Sequence, residues 1–214
     1  MDQSAKHREF EALKARVEQL EEELAEAAPR WQPGSPYPVY DAASGFVLGS
    51  IGAAAALLVN VIGAPIVGKH PLELIRVYLT FPLGEKALAL ADPLKGAQTV
   101  SDGMVLAFGC CLYLATGMLL GIPFHMLLSR LGNPAPLKTR LLVATGLALA
   151  VWVINFYLIL AWLQPLLFGG RWIVDSTYLP WWVGAGTHLI FGWTMAFVQP
   201  WGRVAPPPVP AETA

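Results

Sequence analysis

Residues 103–128 read GMVLAFGCCLYLATGMLLGIPFHMLL, an apolar run without a Lys, Arg, Asp or Glu. At about 1.5 Å per residue, a helix of this length crosses the roughly 30 Å hydrocarbon core of a bilayer. Three further runs without these charged residues lie at Ala42–Val67, Leu141–Leu163 and Tyr178–Trp201. A helix satisfies its own backbone hydrogen bonds in lipid. The sequence therefore predicts an all-α integral membrane protein with four transmembrane helices in a domain spanning 42–201.

The composition supports a lipid environment and argues against a nucleic-acid partner. Only 14% of the 214 residues are charged, whereas soluble domains carry about 25%. Nearly half of the charges lie in the first 30 residues, where acidic side chains outnumber basic ones. An acidic segment repels nucleic acid. We therefore expect the bilayer, and no nucleic acid, as a partner.

The N-terminal segment, 1–28, carries a heptad pattern. Its apolar residues recur at alternating intervals of 3 and 4, at Phe10, Leu13, Val17, Leu20 and Leu24. This spacing is typical of the a and d positions of a coiled coil. It predicts a cytoplasmic helix that either joins copies of the chain or lies as an amphipathic helix against another subunit or the protein's own cytoplasmic face.

The charges beside this heptad fit a parallel pair. Glu9 and Arg16 fall at g positions, and Lys14 and Glu21 fall at e positions. In a parallel dimer the g residue of one helix meets the following e residue of the other. Both resulting pairs are attractive, which favours oligomerisation through this helix.

The remaining segments are linkers. Residues 29–41 are rich in proline, which removes backbone donors and predicts an extended connection. Residues 202–214 are also rich in proline and are predicted to be disordered. Loop 129–140 carries three basic residues and no acidic residue, a pattern typical of cytoplasmic loops. With four spans, both termini are then cytoplasmic.

The first loop, 68–102, predicts a short helix of its own. Pro71 suits a first helical turn, and apolar residues follow up to Phe81. A helix over about 71–81 is too short to span a bilayer and is therefore expected to be interfacial or re-entrant.

Glycine spacing predicts close helix packing. The first span contains Gly45, Gly49 and Gly52, and the second contains Gly117 and Gly121. Small residues four apart let helix backbones approach closely in membranes. We expect these two helices to pack tightly, with each other or with a partner.

His188 and Asn155 are the candidate binding residues. Both are expected near mid-bilayer on neighbouring spans, where polar groups are costly. A hydrogen bond between them would satisfy both groups and set the helix register. The functional alternative is a site for a quinone headgroup, a haem or a transported proton. His125 differs from His188 in predicted depth by roughly 18 Å, so the two do not ligate one haem within a chain. We expect His125 to be a hydrated residue at the inner interface.

No catalytic or metal site is predicted. The chain has no P-loop, HExxH, nucleophile elbow or CxxC. Cys110 and Cys111 are adjacent within a span and are interpreted as small apolar residues. The sequence thus predicts a protein that is not an enzyme, with no assigned cofactor.

The order of segments resembles one family. A Gly-rich first span, a loop helix, a third span ending at Gln164-Pro165 and a fourth span with Thr187-His188-Leu189-Ile190-Phe191-Gly192 resemble small bacterial four-span inner-membrane proteins of the YagU-like kind. The resemblance covers 42–201 in layout. It implies a bacterial inner membrane but no biochemical activity, and it draws attention to His188.

The predicted role is therefore that of a non-enzymatic accessory or scaffold subunit of a membrane assembly, or of a self-assembling membrane protein. Its partners would be other membrane subunits or a second copy. One alternative is a membrane binder of a quinone or haem through His188 and Asn155. Another is a small channel or transporter component.

Overall fold

The computed structural model describes residues 3–27, 38–90, 99–131 and 135–203, and within these ranges it contains helices and turns but no strand. The chain divides into two compact units, Met1–Ser35 and Pro36–Ala214. Most of the predicted linker 29–41 and of the predicted tail 202–214 lies outside the described residues. The prediction of an all-helical chain is confirmed for the described part.

Seven α-helices make up most of this part of the chain, and short 3₁₀ and π segments connect or extend them. In order they are α1 (Gln3–Ala27), α2 (Pro38–Ile66), α3 (Glu73–Leu83), a 3₁₀ turn (Gly84–Ala89), α4 (Val100–Ser129), α5 (Leu137–Val153), a π-helical segment (Ile154–Leu160), α6 (Ala161–Phe168), a 3₁₀ turn (Trp172–Val174), α7 (Trp181–Val198) and a 3₁₀ turn (Gln199–Gly202).

Three helices in the described ranges are long and apolar enough to cross a membrane. They are α2, α4 and the continuous helix Leu137–Phe168, which joins α5, the π-helical segment and α6. This confirms apolar helices of spanning length at three of the four predicted segments. The fourth segment forms α7, which has 18 residues and is therefore only about 27 Å long. It contains three tryptophans and a histidine, and it is not one of the three helices found long and apolar enough to cross a membrane.

Glycines bring the backbones of α2 and α4 together. A Cβ on Gly45 would lie 2.6 Å from the carbonyl oxygen of Gly121, and one on Gly49 would overlap the carbonyl of Gly117. A Cβ there would therefore meet backbone that cannot rotate away. Gly52 instead faces α7, where a Cβ would lie 2.9 Å from the ring of Phe191. The glycines singled out by spacing thus lie at two helix contacts.

α5 and α7 form a second close pair, and α7 also packs on α2. Gly192 of α7 lies against Ala144 and Ala148 of α5, both of which are fully buried. Phe191 meets Phe124 of α4 edge-on, with ring centroids 5.2 Å apart. The core of the bundle therefore combines small residues at the helix crossings with aromatic rings between them.

α3 covers the end of the bundle where α2 ends and α4 begins. Ile75 and Leu79 are almost wholly buried and pack against Gly109 of α4. Leu74 and Val77 face Ile173 of the 3₁₀ turn Trp172–Val174. The segment predicted as an interfacial helix over 71–81 is thus a helix over Glu73–Leu83 whose apolar side is packed inside the unit.

One fully buried glutamine links α3 to neighbouring segments by hydrogen bonds. Gln164 of α6 donates to the hydroxyl of Thr80 over 2.8 Å and accepts from the backbone N–H of Ile173 over 3.0 Å. A buried amide is tolerated when its donor and acceptor both have partners. Here the two bonds tie α6 to α3 and to the 3₁₀ turn.

Candidate functional site

A cavity of about 380 Å³ lies between the two helix pairs, beneath α3. Its walls come from α3, α4, α7 and the region where α5 passes into the π-helical segment, and Ala53 of α2 also borders it. Most lining side chains are apolar. None of the described residues that line it is charged. The few polar side chains are Tyr78, Tyr113, Thr116, Asn155, Thr187 and His188.

His188 lies on the wall formed by α7, one turn after Gly184. Its Nδ1 lies 2.8 Å from the carbonyl oxygen of Gly184. A carbonyl oxygen only accepts, so Nδ1 carries the proton and Nε2 of the neutral ring is an acceptor. Phe156 packs edge-on against the imidazole with ring centroids 5.7 Å apart. The ring is therefore held on one side by the helix and on another by an aromatic neighbour.

Asn155 borders the same cavity from the π-helical segment. The expected hydrogen bond between Asn155 and His188 is absent among the described residues, and the hydrogen bond that His188 makes is to Gly184 in its own helix. The side chain of Asn155 has no hydrogen-bond partner among the described residues. Such π segments are frequent at functional sites in helices. The structure thus brings the two predicted residues to one cavity without joining them.

The interhelical hydrogen bond in this region is made by a neighbouring pair. Asn60 of α2 donates to Thr187 Oγ1 over 2.9 Å and to the carbonyl of Ala56 over 2.8 Å. The hydroxyl of Thr187 donates in turn to the carbonyl of Val183. The sequence showed Asn60 and Thr187 as polar residues within spans, but nothing in their spacing identified them as partners.

Tyr78 was not predicted as a site residue. It reaches the cavity because α3 folds onto the bundle, and its hydroxyl lies 2.6 Å from Thr116 Oγ1. Thr116 donates its proton to the carbonyl of Leu112, so Tyr78 is the donor of the pair. The ring of Tyr78 also meets Tyr113 edge-on at 5.7 Å. Only the position of α3 in the fold reveals this part of the wall.

His125 lies outside the cavity, at the opposite end of the unit. It is fully buried, so the expectation of a hydrated interfacial residue is wrong. A Cβ on Gly202, in the last 3₁₀ turn, would lie 2.6 Å from its ring, which shows that this turn covers the imidazole. Nε2 lies 3.8 Å from the carboxylate of Asp41 at the start of α2.

Arg140 completes the polar region at this end. It donates to the carbonyl of Ala196 over 3.0 Å, and this contact holds the start of α5 to the end of α7.

The described residues contain no cluster of three His, Cys, Asp or Glu side chains that could hold a metal ion. Cys110 and Cys111 are free thiols on α4.

No protein-family model, curated protein or solved structure matches this chain.

Proposed function

We propose that this protein is a membrane-embedded binding protein for a lipophilic small molecule, which it holds in the cavity beneath α3. The observation that carries the proposal is the cavity of about 380 Å³, which is lined mostly by apolar side chains and has His188 and Asn155 on its wall. Ligand pockets have volumes of roughly 300–1,000 Å³, are mostly apolar and carry a few polar groups that orient the ligand. The proposed role is binding and involves no catalysis.

The proposal includes four spans, with α7 as the fourth. α7 packs on both α2 and α5, and the 3₁₀ turn Gln199–Gly202 lengthens it. Arg130, Lys138 and Arg140 lie at the end of the unit opposite α3. The positive-inside rule puts that end, with both termini, in the cytoplasm of a bacterial cell. The cavity then lies toward the outer half of the inner membrane.

An uncharged ring compound suits the cavity better than a haem. A haem carries two propionates, and a carboxylate buried without a cationic partner is unfavourable. No described lining residue supplies such a cation. An uncharged ring compound needs no counter-charge, and the aromatic walls offer it edge and face contacts.

Native mass spectrometry of protein extracted in mild detergent tests the proposal. Leu120 lines the cavity, whereas its neighbour Leu119 is 62% exposed on the same helix. We expect the wild-type protein to retain a small lipophilic molecule, Leu120→Trp to lose it by filling the cavity, and Leu119→Trp to keep it. Equal retention by both variants would contradict binding in this cavity.

A second candidate function is assembly through α1. The side chains of Phe10, Leu13, Val17 and Leu20 are 62%, 62%, 52% and 41% exposed, and the side chain of Leu24 lies outside the described residues. An exposed apolar stripe with heptad spacing favours pairing with another helix. The protein would then act as an accessory or scaffold subunit, joined to a second copy or to another membrane protein.

The assembly candidate is tested by adding charge to the stripe. The double variant Val17→Asp with Leu20→Asp is expected to reduce the oligomeric mass measured by light scattering in detergent. The control, Ala12→Asp with Ala15→Asp, adds the same charge at the exposed c and f positions and is expected to leave the mass unchanged. An unchanged mass in the first variant would rule out assembly through the heptad.

A further inference from the structure

We infer that the cavity selects a neutral lipophilic ligand carrying a hydroxyl group, such as a phenol or hydroquinone, over the matching ether. The hydroxyl donates to Nε2 of His188 and accepts from the amide of Asn155. This inference rests on the proposed function, and it adds the chemical class of the ligand.

The absence of charge from the described walls of the cavity sets the first limit on the ligand. Six polar but uncharged side chains border it, and the remaining lining is apolar. An ionised phosphate or carboxylate would lose its hydration without gaining an ion pair. The cavity therefore disfavours anionic lipids and fatty acids and suits an uncharged molecule.

His188 sets the second limit on the ligand, because its hydrogen bond to Gly184 determines whether the other ring nitrogen donates or accepts. Nδ1 uses its proton on the carbonyl oxygen of Gly184. Nε2 is left with a lone pair and no proton. His188 can therefore bind a hydrogen-bond donor, whereas a ligand that carries only carbonyl or ether oxygens cannot use it.

Three other polar side chains already donate their hydroxyl protons to hydrogen bonds within the protein. Thr116 donates to Leu112, Thr187 donates to Val183, and Tyr78 donates to Thr116. Each of these hydroxyl groups is thus a possible acceptor toward the cavity but not a free donor. The remaining hydroxyl side chain, Tyr113, makes no hydrogen bond among the described residues, so it can still donate. The wall thus offers more acceptors than free donors.

Asn155 supplies a complementary donor. Its amide is without a partner in the described part of the chain. Asn155 and His188 both line this one cavity, and Phe156, the sequence neighbour of Asn155, contacts the ring of His188. A hydroxyl group donates one hydrogen bond and accepts another, and so matches this pair. An ether or a quinone carbonyl only accepts, and leaves Nε2 unpaired.

Isothermal titration of the purified full-length protein in detergent, with para-decylphenol and para-decylanisole as probes, tests this selection. The two probes differ only in methylation of the hydroxyl group. We expect the phenol to bind about ten-fold more tightly, as is typical of one buried hydrogen bond. Dodecan-1-ol, as a third probe, distinguishes a ring hydroxyl from a chain hydroxyl, and we expect it to bind more weakly than the phenol.

A matched pair of variants assigns the selectivity to His188. His188→Leu is expected to bring the affinity ratio of phenol to anisole close to one. Thr194 lies on the same helix, makes the equivalent bond to the carbonyl four residues earlier and does not line the cavity. Thr194→Ala is therefore expected to keep the wild-type ratio.

The outcomes separate the inference from the proposed function. Equal affinities of phenol and anisole for the wild-type protein would overturn the hydroxyl selection but leave a lipophile-binding cavity. Binding of neither aromatic probe would overturn the proposed function and the inference with it. The wild-type comparison decides the matter even where His188→Leu does not fold.

Discussion

Replacing Gly121 by alanine is expected to force α2 and α4 apart. A Cβ at this position would lie 2.6 Å from Gly49 Cα and 2.9 Å from Gly49 N, and would overlap the carbonyl oxygen of Gly45. Ordinary van der Waals contact begins at 3.4 Å. From the Cα distance alone, the backbones must separate by about 0.8 Å, the difference between 3.4 and 2.6 Å. No side-chain rotation relieves the contact, because every close atom belongs to the backbone.

The expected cost follows from overpacking. Inserting a methyl group into a closely packed interface costs about 1–3 kcal/mol. Alanine also has a higher helix propensity than glycine, by about 1 kcal/mol. The control Gly146→Ala has the same propensity gain, and a Cβ there meets nothing within 4 Å. The difference between the two variants therefore isolates the contact between α2 and α4.

Thermal unfolding in detergent, followed by tryptophan fluorescence, measures this difference. For a chain of this size each kcal/mol corresponds to about 2–4 °C in melting temperature. We expect Gly121→Ala to melt about 2–12 °C below Gly146→Ala. Equal melting temperatures would refute the argument that glycine is required for this approach.

Two further predictions concern the cover formed by α3. Nδ1 of His70 accepts from the backbone N–H of Leu72 over 3.0 Å, and burial together with the nearby Arg76 guanidinium lowers the pKa of His70. The unfolded chain thus binds this proton more readily, so the contribution of His70 to stability is present above pH about 6.5. This contribution is lost as the pH falls through the lowered pKa of His70. Hydrogen exchange of the Leu72 amide should then become faster than the pH dependence of intrinsic exchange predicts. An exchange rate that follows the intrinsic pH dependence alone would contradict this. Gln164→Leu leaves the buried N–H of Ile173 without its acceptor, which is expected to destabilise the protein by about 1–3 kcal/mol; an unchanged unfolding midpoint would exclude this role.

The long apolar helices were predictable because their length and apolarity depend only on consecutive residues in the chain. An uninterrupted run of apolar residues has the same length and the same need for lipid whatever its neighbours are. For the same reason the sequence predicted α2, α4 and the long helix Leu137–Phe168 within a few residues of their ends. The glycine spacing similarly identified faces where close approach was possible, although it did not show that Gly52 would meet α7 rather than α4.

The positions of single polar side chains were less predictable. Counting residues along a span placed His125 near water, but Gly202 of the turn Gln199–Gly202 packs against its ring and His125 is fully buried. The same method put His188 level with Asn155, yet the hydrogen bond that His188 makes is to the carbonyl of Gly184, one turn away in its own helix. Depth along a helix can be counted from the sequence, whereas rotation about the helix axis and the identity of the neighbour cannot.

Sequence alone thus predicted the helical class and the lack of charge in the long apolar helices and indicated a lipid environment, because each follows from residues adjacent in the chain. The cavity required the tertiary structure, since its wall joins α3, α4, α5 with the π-helical segment, and α7. The bond from Asn60 to Thr187 connects residues 127 positions apart. Contacts of this kind depend on which helices pair and at what angle, which is set by the packing of all of them together.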